Sequence, residues 1–407
     1  VWSENVVLTF DNRTSTANVT QMLGENGGSA TAPAAPTRVG YRFGGWFMTK
    51  QGLTWLEPEA VTFPYSVTET TTLFAYWEPL DSRAITYPEG STYTTSLDSS
   101  SSLILNPLTY QWSHEDGYID MLATPLYQTE VDWDKAIEEG VADAPGDFSK
   151  IIAKEFSVES LDFRWILVGG THFPMDSEGE EYLTEDGLYD RDNASSYKDT
   201  VWTFKIREDL KFEDGTPITA DTFEYTLKMY LDPTLNNYRA NIYFRTTENK
   251  NGYPIDMAYE YYKGLAEWSE VGFEVVDDYT FTITTFEPIS QSSALGFGNI
   301  RLVEEAAFEA SLTPDRTNSS YGTPDHPYLS YGEYILKTWD ENQKLVFNKN
   351  YDYVLKGTIN YKSMVVEIVD NIDQRMELFG QGDLSVVGLS KDYYAQYAEN
   401  PNVFKSW

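Results

Sequence analysis

WTFKIREDLKFEDGTPITADTFEYTLKMYLDP, from Trp202 to Pro233, changes its periodicity halfway along. Trp202, Phe204 and Ile206 alternate with Thr203, Lys205 and Arg207, which predicts a strand with one apolar face. Asp214-Gly215 supplies turn chemistry, since glycine takes the positive φ of a tight reversal without cost. Thr219 reads as a helix N-cap, with Asp221 in the first turn where the helix dipole favours a carboxylate. Phe223, Leu227, Tyr230 and Leu231 then follow at i, i+4, i+7 and i+8, one stripe of an amphipathic helix that Pro233 closes. Periodicity alone therefore predicts a strand–turn–helix unit packed into an α/β or α+β core.

The order of residues within that stretch says more. Thr203, Phe204, Arg207, Lys211, Phe212, Asp214, Gly215, Pro217, Thr219, Ala220 and Asp221 follow the pattern T-F-x-L-R-x-x-x-K-F-x-D-G-x-P-x-T-A-x-D. This resembles the signature of the family 5 extracytoplasmic solute-binding proteins that serve peptide and nickel ABC importers. By resemblance the segment is part of a lobe's scaffold and not a ligand contact.

The similarity continues from Leu103 to the end of the chain. LNPLTYQWSHEDGYIDMLATPLYQ, beginning at Leu105, is similar to the family's opening, with Ile119, Leu122, Ala123 and Leu126 as an apolar face. Gly272 to Pro288 predicts a β-hairpin turning at Asp277-Asp278, with Tyr279, Phe281 and Ile283 on one face. Leu329 to Tyr353 resembles a G-P-Y-x-L-x-x-W … N-P-x-Y-W segment, although Tyr331 and Glu333 stand where Gly and Pro are usual, and Lys349 and Val354 replace the later Pro and Trp. Ile372, Met376 and Phe379 form a helical stripe ahead of Gly382-Asp383.

Residues 6–78 form a compositional block of their own. A strand-like Val6 to Phe10 opens it, and Thr72, Phe74 and Tyr76 alternate with Leu73, Ala75 and Trp77 to close it. Gly44-Gly45-Trp46 predicts a core tryptophan that needs close backbone approach. Asn26, Gly27, Gly28, Pro36, Thr37, Arg38, Gly40, Tyr41, Phe43, Gly45, Trp46, Phe47, Thr71, Thr72, Leu73, Phe74, Ala75 and Trp77 together resemble an internalin-type B repeat, a small β-grasp-like module of bacterial surface proteins. Asn12 to Glu25 is longer and more polar than in a minimal repeat. The Ser, Thr and Pro-rich residues 79–102, with Glu89-Gly90 and Ser99 to Ser102, are either a polar connector throughout or in part the first strand of the next domain.

The expected organisation is thus residues 1–80 as a B repeat, 81–102 as a linker, and 103–407 as a solute-binding domain. The fold class is α+β/α/β: a β-grasp-like module, then a two-lobed, type II periplasmic-binding-protein-like scaffold. By resemblance the second lobe is incomplete at Trp407.

Composition narrows the chemistry. A 407-residue chain with 23% charged and 15% aromatic residues can bury sizeable cores. Twenty-nine basic against 64 acidic residues give a net charge of −35, a field that repels nucleic-acid backbones and anionic lipid. With no cysteine, disulfides, thiolate metal sites and cysteine nucleophiles are excluded. No apolar run approaches the roughly 20 residues of a membrane span. His114, His172 and His326 lack zinc-site spacing, and Asp186 to Asp192 does not fit a calcium loop. Asn12, Asn18, Asn193 and Asn318 begin short glycosylation-like triplets. No P-loop, G-x-S-x-G elbow or paired-carboxylate motif is found, so no enzyme activity, cofactor or metal is expected.

What remains is an aromatic-rich binding surface. The candidate ligand-binding residues are Asn106, Tyr110 and Trp112 in the opening segment, Phe297 and Asn299 before the return strand, and Tyr328 and Tyr331 near the altered G-P-Y turn. Core packing or a solvated loop is the competing role for each. The resemblance implies an extracellular, surface-held component of an ABC importer that captures peptides, or another small solute, by lobe closure and hands them to a membrane permease. A membrane anchor would precede Val1, and the B repeat would act as a spacer or touch the envelope or a host surface. The alternative is an adhesin or structural surface protein that reuses the scaffold.

Overall fold

The computed structural model describes residues 5–12, 18–36, 41–48, 60–79, 91–98, 103–152, 155–184, 187–341, 343–355, 359 and 361–397. Thr37, Arg38 and Gly40 of the B-repeat pattern lie outside the described residues, as do Arg13-Thr14, Glu89-Gly90, Ser99 to Ser102, Asp186 and the side chain of Trp77. Two compact units emerge. One comprises Val1–Thr86, Pro125–Glu208 and Gly272–Ile300; the other Tyr87–Thr124, Asp209–Val271 and Arg301–Trp407.

The first unit opens with a mixed four-stranded sheet ordered Val19–Met22, Val7–Asp11, Thr71–Pro79, Tyr41–Phe47. Val7–Asp11 runs parallel to Thr71–Pro79, and the outer pairings are antiparallel. Alternation puts Leu8, Phe10, Leu73 and Ala75 on its buried face. The pairing with the last strand shifts register between Phe43 and Gly45. Gly45 has φ +127°, a conformation closed to ordinary side chains, and this break seats Trp46 in the core. The Trp46 ring meets Phe10 at 5.0 Å and Phe43 at 5.2 Å, both edge-on. Ala144, well downstream, shares this core.

The same unit contains an antiparallel sheet ordered Lys198–Lys205, Thr280–Ser290, Phe273–Asp277. Its hairpin turns at Asp277, whose carboxylate accepts from the Tyr279 N–H at 2.9 Å. Trp202, Phe204, Phe281 and Ile283 are fully enclosed. Phe204 and Phe281 stack at 5.0 Å, and Phe281 stacks on Phe273 at 5.1 Å.

The second unit holds a sheet ordered Tyr334–Asp340, Lys344–Lys349, Ser363–Ile368, Thr92–Leu97, the last pair parallel. Thr92–Leu97 comes from the Ser/Thr-rich connector, so part of that segment is a strand. The helix Ala220–Tyr230 begins at the expected cap, where Thr222 Oγ1 accepts from the Thr219 N–H at 3.1 Å. Phe223, Leu227, Tyr230 and Leu231 are buried as the spacing requires. Gly215 sits in the preceding turn at φ +94°. The signature stretch spans both units, with its strand in the first and its helix in the second. The division between units falls between Glu208 and Asp209, after the strand and before the helix. Local periodicity identifies both elements but carries no information about which unit each one joins.

The helix Ile372–Gln381 forms with Gly382 in the left-handed region at its end, but its stripe is less buried than the pattern suggests. Phe379 is exposed, and Ile372 and Met376 are half-buried.

Two glycines make opposite predictions. Gly332 donates its N–H to Leu122 O at 2.9 Å, and a Cβ there would stand 2.5 Å from Ala123 N and 2.7 Å from Met121 O. Gly117 lies inside the helix Ser113–Leu122 with nothing near a Cβ. In thermal and urea unfolding, Gly332→Ala is expected to destabilise by about 2 kcal/mol, because backbone must move. Gly117→Ala is expected to stabilise by about 1 kcal/mol.

Candidate functional site

The opening segment of the solute-binding region is held by a carboxylate. Glu115, in the first turn of the helix Ser113–Leu122, is 1% exposed and accepts three backbone N–H bonds: from Ile104 at 2.8 Å, Gln111 at 2.9 Å and Trp112 at 3.0 Å. Within the loop so fixed, Asn106 Oδ1 accepts from the Leu108 N–H at 2.9 Å, and its backbone carbonyl accepts from Tyr110 at 3.0 Å. Asn106 is therefore a buried loop former.

Tyr110 is the centre of a charged cluster. The Arg239 guanidinium lies 3.7 Å from its ring centroid, and that of Arg301 lies 5.2 Å away. Arg239 Nε donates to the Tyr110 carbonyl at 2.8 Å, and the Arg239 backbone N–H to Leu108 O at 3.0 Å. Arg301 donates through Nη1 to Asp116 Oδ1 at 2.6 Å and through Nη2 to Asp120 Oδ1. Asp116 and Asp120 are four apart, hence on one face of their helix. Burial works against the Arg301 charge, but Asp120, Tyr110 and Asp116 outweigh it and hold the guanidinium above its ordinary pKa. Burial would likewise raise the Asp116 carboxyl, yet hydrogen bonds from Tyr110 and Arg301 prevail and keep it below the usual carboxylate range. The Tyr110 phenol moves up, through burial and its bond to Asp116.

Tyr328 and Tyr331 meet at the residue after Arg301. The Tyr328 hydroxyl donates to Leu302 O, and the Tyr331 oxygen accepts from Leu302 N–H, each at 2.8 Å. One residue's backbone is thus gripped by two buried phenols, which places Arg301 beneath its carboxylates. Burial pushes the Tyr331 phenol up to about 12. Thr124 Oγ1 donates to Tyr331 O at 2.5 Å, and Glu213 Oε1 accepts from the Ser330 N–H at 3.0 Å, so the altered G-P-Y turn is tied to two further segments.

The sequence-predicted residues thus divide. Tyr110, Tyr328 and Tyr331 are brought together through Arg301-Leu302. Trp112 follows Tyr110 with 56% of its surface exposed. Phe297 and Asn299 belong to the other unit; Phe297 is enclosed beside Phe204 at 6.0 Å, and Asn299 is exposed. Sequence reading missed Arg239, Arg301, Asp116 and Asp120. The i,i+4 acidic pair was legible as one helix face, but Arg301, 181 residues beyond Asp120, carried no local signal. Among the described residues, no group of His, Asp and Glu side chains could hold a metal ion, and no helix is long and apolar enough to cross a membrane.

Solved structures share this two-unit α/β scaffold. A Listeria monocytogenes OppA bound to peptide superposes with a TM-score of 0.51 at 20% identity, covering 77% of this chain and 49% of that one. The pheromone receptor PrgZ gives 0.54 at 16% identity, covering 76% and 49%. The fold is that of a two-lobed α/β scaffold. The model for bacterial extracellular solute-binding proteins, family 5, matches residues 187–405, and the chain belongs to that family. Its members are substrate-binding proteins and not enzymes. The dipeptide-binding protein DppE of Bacillus subtilis is 24% identical over 238 residues, 58% of this chain and 40% of that protein. The periplasmic oligopeptide-binding protein OppA of Salmonella typhimurium is 30% identical over 157 residues, 38% and 26% respectively. The chain spans less than half the length of these relatives.

The cluster predicts a pH dependence. A carboxyl whose folded pKa is depressed contributes stability that is present above its unfolded value, near 4, and lost as pH falls through the folded value. Acid unfolding between about pH 5 and pH 2 should therefore cost the wild type more stability than Asp116→Asn. Arg301→Gln should lower stability at neutral pH by about 2 kcal/mol, as hydrogen bonds to charged groups are lost. Superimposable acid titrations of wild type and Asp116→Asn would show that the Asp116–Arg301 bond contributes nothing.

Proposed function

We propose that this chain is part of the substrate-binding component of an ABC importer and that it captures oligopeptides outside the cytoplasm. Membership of family 5 carries the reading, with relatives named for dipeptide and oligopeptide binding and one neighbour solved with peptide bound. Ligand binding stabilises the closed form, and a membrane permease receives the solute from it. The protein performs no catalysis; its role is selection and delivery. Residues 1–80, with their resemblance to an internalin-type B repeat, serve as a spacer or surface-contact module, and a segment before Val1 anchors the protein at the cell surface.

The charged cluster in the second unit suits this role better than it suits chemistry. Its groups are ion-paired, stacked or bound to backbone, and none is poised as a nucleophile with an adjacent base. The family's usual glycine and proline are replaced at Tyr331 and Glu333, yet Tyr331 is locked onto Leu302. The departure therefore changes how the turn is held without leaving it loose.

Thermal unfolding against a mixed pool of short peptides tests the proposal. A peptide at 100 times its Kd stabilises the folded form by about 2.7 kcal/mol, a shift of several degrees. The expected result is a rise in Tm with peptides and none with sugars or free nickel. An unchanged Tm across the peptide pool, at millimolar concentration, would refute peptide capture by this chain.

A further inference from the structure

Arg239 presents an unusual situation for so acidic a protein. The sequence has 64 acidic residues, yet no carboxylate pairs with the Arg239 guanidinium among the described residues. Its placement is nonetheless tightly defined. The ring of Tyr110 covers it at 3.7 Å and that of Tyr238 lies at 5.4 Å. The Nε edge is occupied by the Tyr110 carbonyl at 2.8 Å, and the backbone is tied to Leu108. The acids of the cluster are already engaged. Asp116 accepts from Arg301 at 2.6 Å and from the Tyr110 phenol, and Asp120 is bonded to Arg301 as well. The two Nη groups of Arg239 are left as a planar pair of donors on a half-buried side chain whose orientation is fixed in advance.

We infer that the Nη edge of Arg239 binds a carboxylate of the captured peptide, with Tyr110 and Tyr238 as the aromatic faces that hold the guanidinium in place. The inference rests on the peptide-capture reading and extends it to a particular ligand group. A guanidinium fork matches a carboxylate in a bidentate arrangement, and charge-assisted bonds of this kind are about twice as strong as neutral ones. Stacking removes much of the rotamer entropy that an exposed arginine would lose on binding. Tyr238 is 57% exposed and Trp112 is 56% exposed, so apolar ligand surface has aromatic partners on the neighbouring residues of both segments. The carboxylate has two possible sources in a peptide: the C-terminus, or an Asp or Glu side chain.

Calorimetric and thermal-shift titrations separate these sources. Four pools of short peptides are used: free C-terminus without acidic residues, the same pool amidated, an amidated pool containing Glu, and a free-acid pool containing Glu. Wild type is compared with Arg239→Gln and Arg239→Lys. The expected result is that removing the relevant carboxylate weakens binding to wild type at least tenfold, while Arg239→Gln binds acid and amide forms alike. Arg239→Lys, which keeps the charge without the fork, should recover only part of the discrimination. Weakening by C-terminal amidation identifies the terminus, and rescue by Glu in the amidated pool identifies a side chain.

If peptides bind but all four pools bind wild type equally, the assignment of Arg239 falls and peptide capture stands. The assignment falls in the same way if amide discrimination persists undiminished in both variants, because another group then holds the carboxylate. If no pool binds wild type, both readings fall together. Should Arg239→Gln not fold, the wild-type pool comparison and Arg239→Lys still decide.

Discussion

Arg301 is the constraint on which the packing around the second unit's opening helix depends. It is a mostly buried cation, and a buried cation is tolerated only when its donors are matched. Asp116 and Asp120 provide that match from a single helix face, and the Tyr328–Leu302–Tyr331 arrangement fixes the backbone on which the arginine stands. Three segments distant in sequence are thereby tied together: the opening helix, the approach to residue 302 and the turn near 331. Tyr110, whose ring lies close to both guanidiniums, inherits its position from this arrangement.

Tyrosine does much of the joining elsewhere in the same unit. Tyr230 projects from the signature helix and donates to Pro107 O at 3.1 Å, so that helix is bonded to the loop that carries Asn106. Tyr225, one turn earlier, donates to Glu309, which also receives Arg316. In each case the ring fills apolar volume while the hydroxyl satisfies a backbone or carboxylate group that burial would otherwise leave unpaired. A phenylalanine in these places would keep the packing and lose the tie. Tyrosine here thus serves the long-range joining of segments.

Legibility in the sequence follows the range of the interaction. The Ala220–Tyr230 helix, its Thr219 cap, the turn at Gly215, the hairpin at Asp277-Asp278 and the core placement of Trp46 all arise from patterns spanning a few residues, and all are readable. The binding candidates are aromatic or amide side chains near recognisable turns. Composition cannot tell a phenol that reaches a ligand from one that grips Leu302, because both need a polar atom at the end of an apolar body. Asn106 shows the same ambiguity: its amide could face a ligand, but it closes its own loop. Arg239 and Arg301 are invisible in the sequence for a different reason. Their significance lies in which carboxylates they meet and miss, a property of tertiary placement alone.

The interleaving of the two units has a consequence for biogenesis. Each is assembled from three separated stretches of chain, and the first lacks its central strand, Thr280–Ser290, until ribosomal synthesis has passed Ile300. The strand Lys198–Lys205 must wait for that partner with Trp202 and Phe204 uncovered, even though its own sequence was completed some eighty residues earlier. Closing such distant pairings is slow, because chain entropy is lost before the contacts repay it. This part of the nascent chain therefore remains open until Thr280–Ser290 has been made. Such a chain can be threaded through a narrow passage before its core closes, and it is exposed to mispairing with its neighbours for just as long.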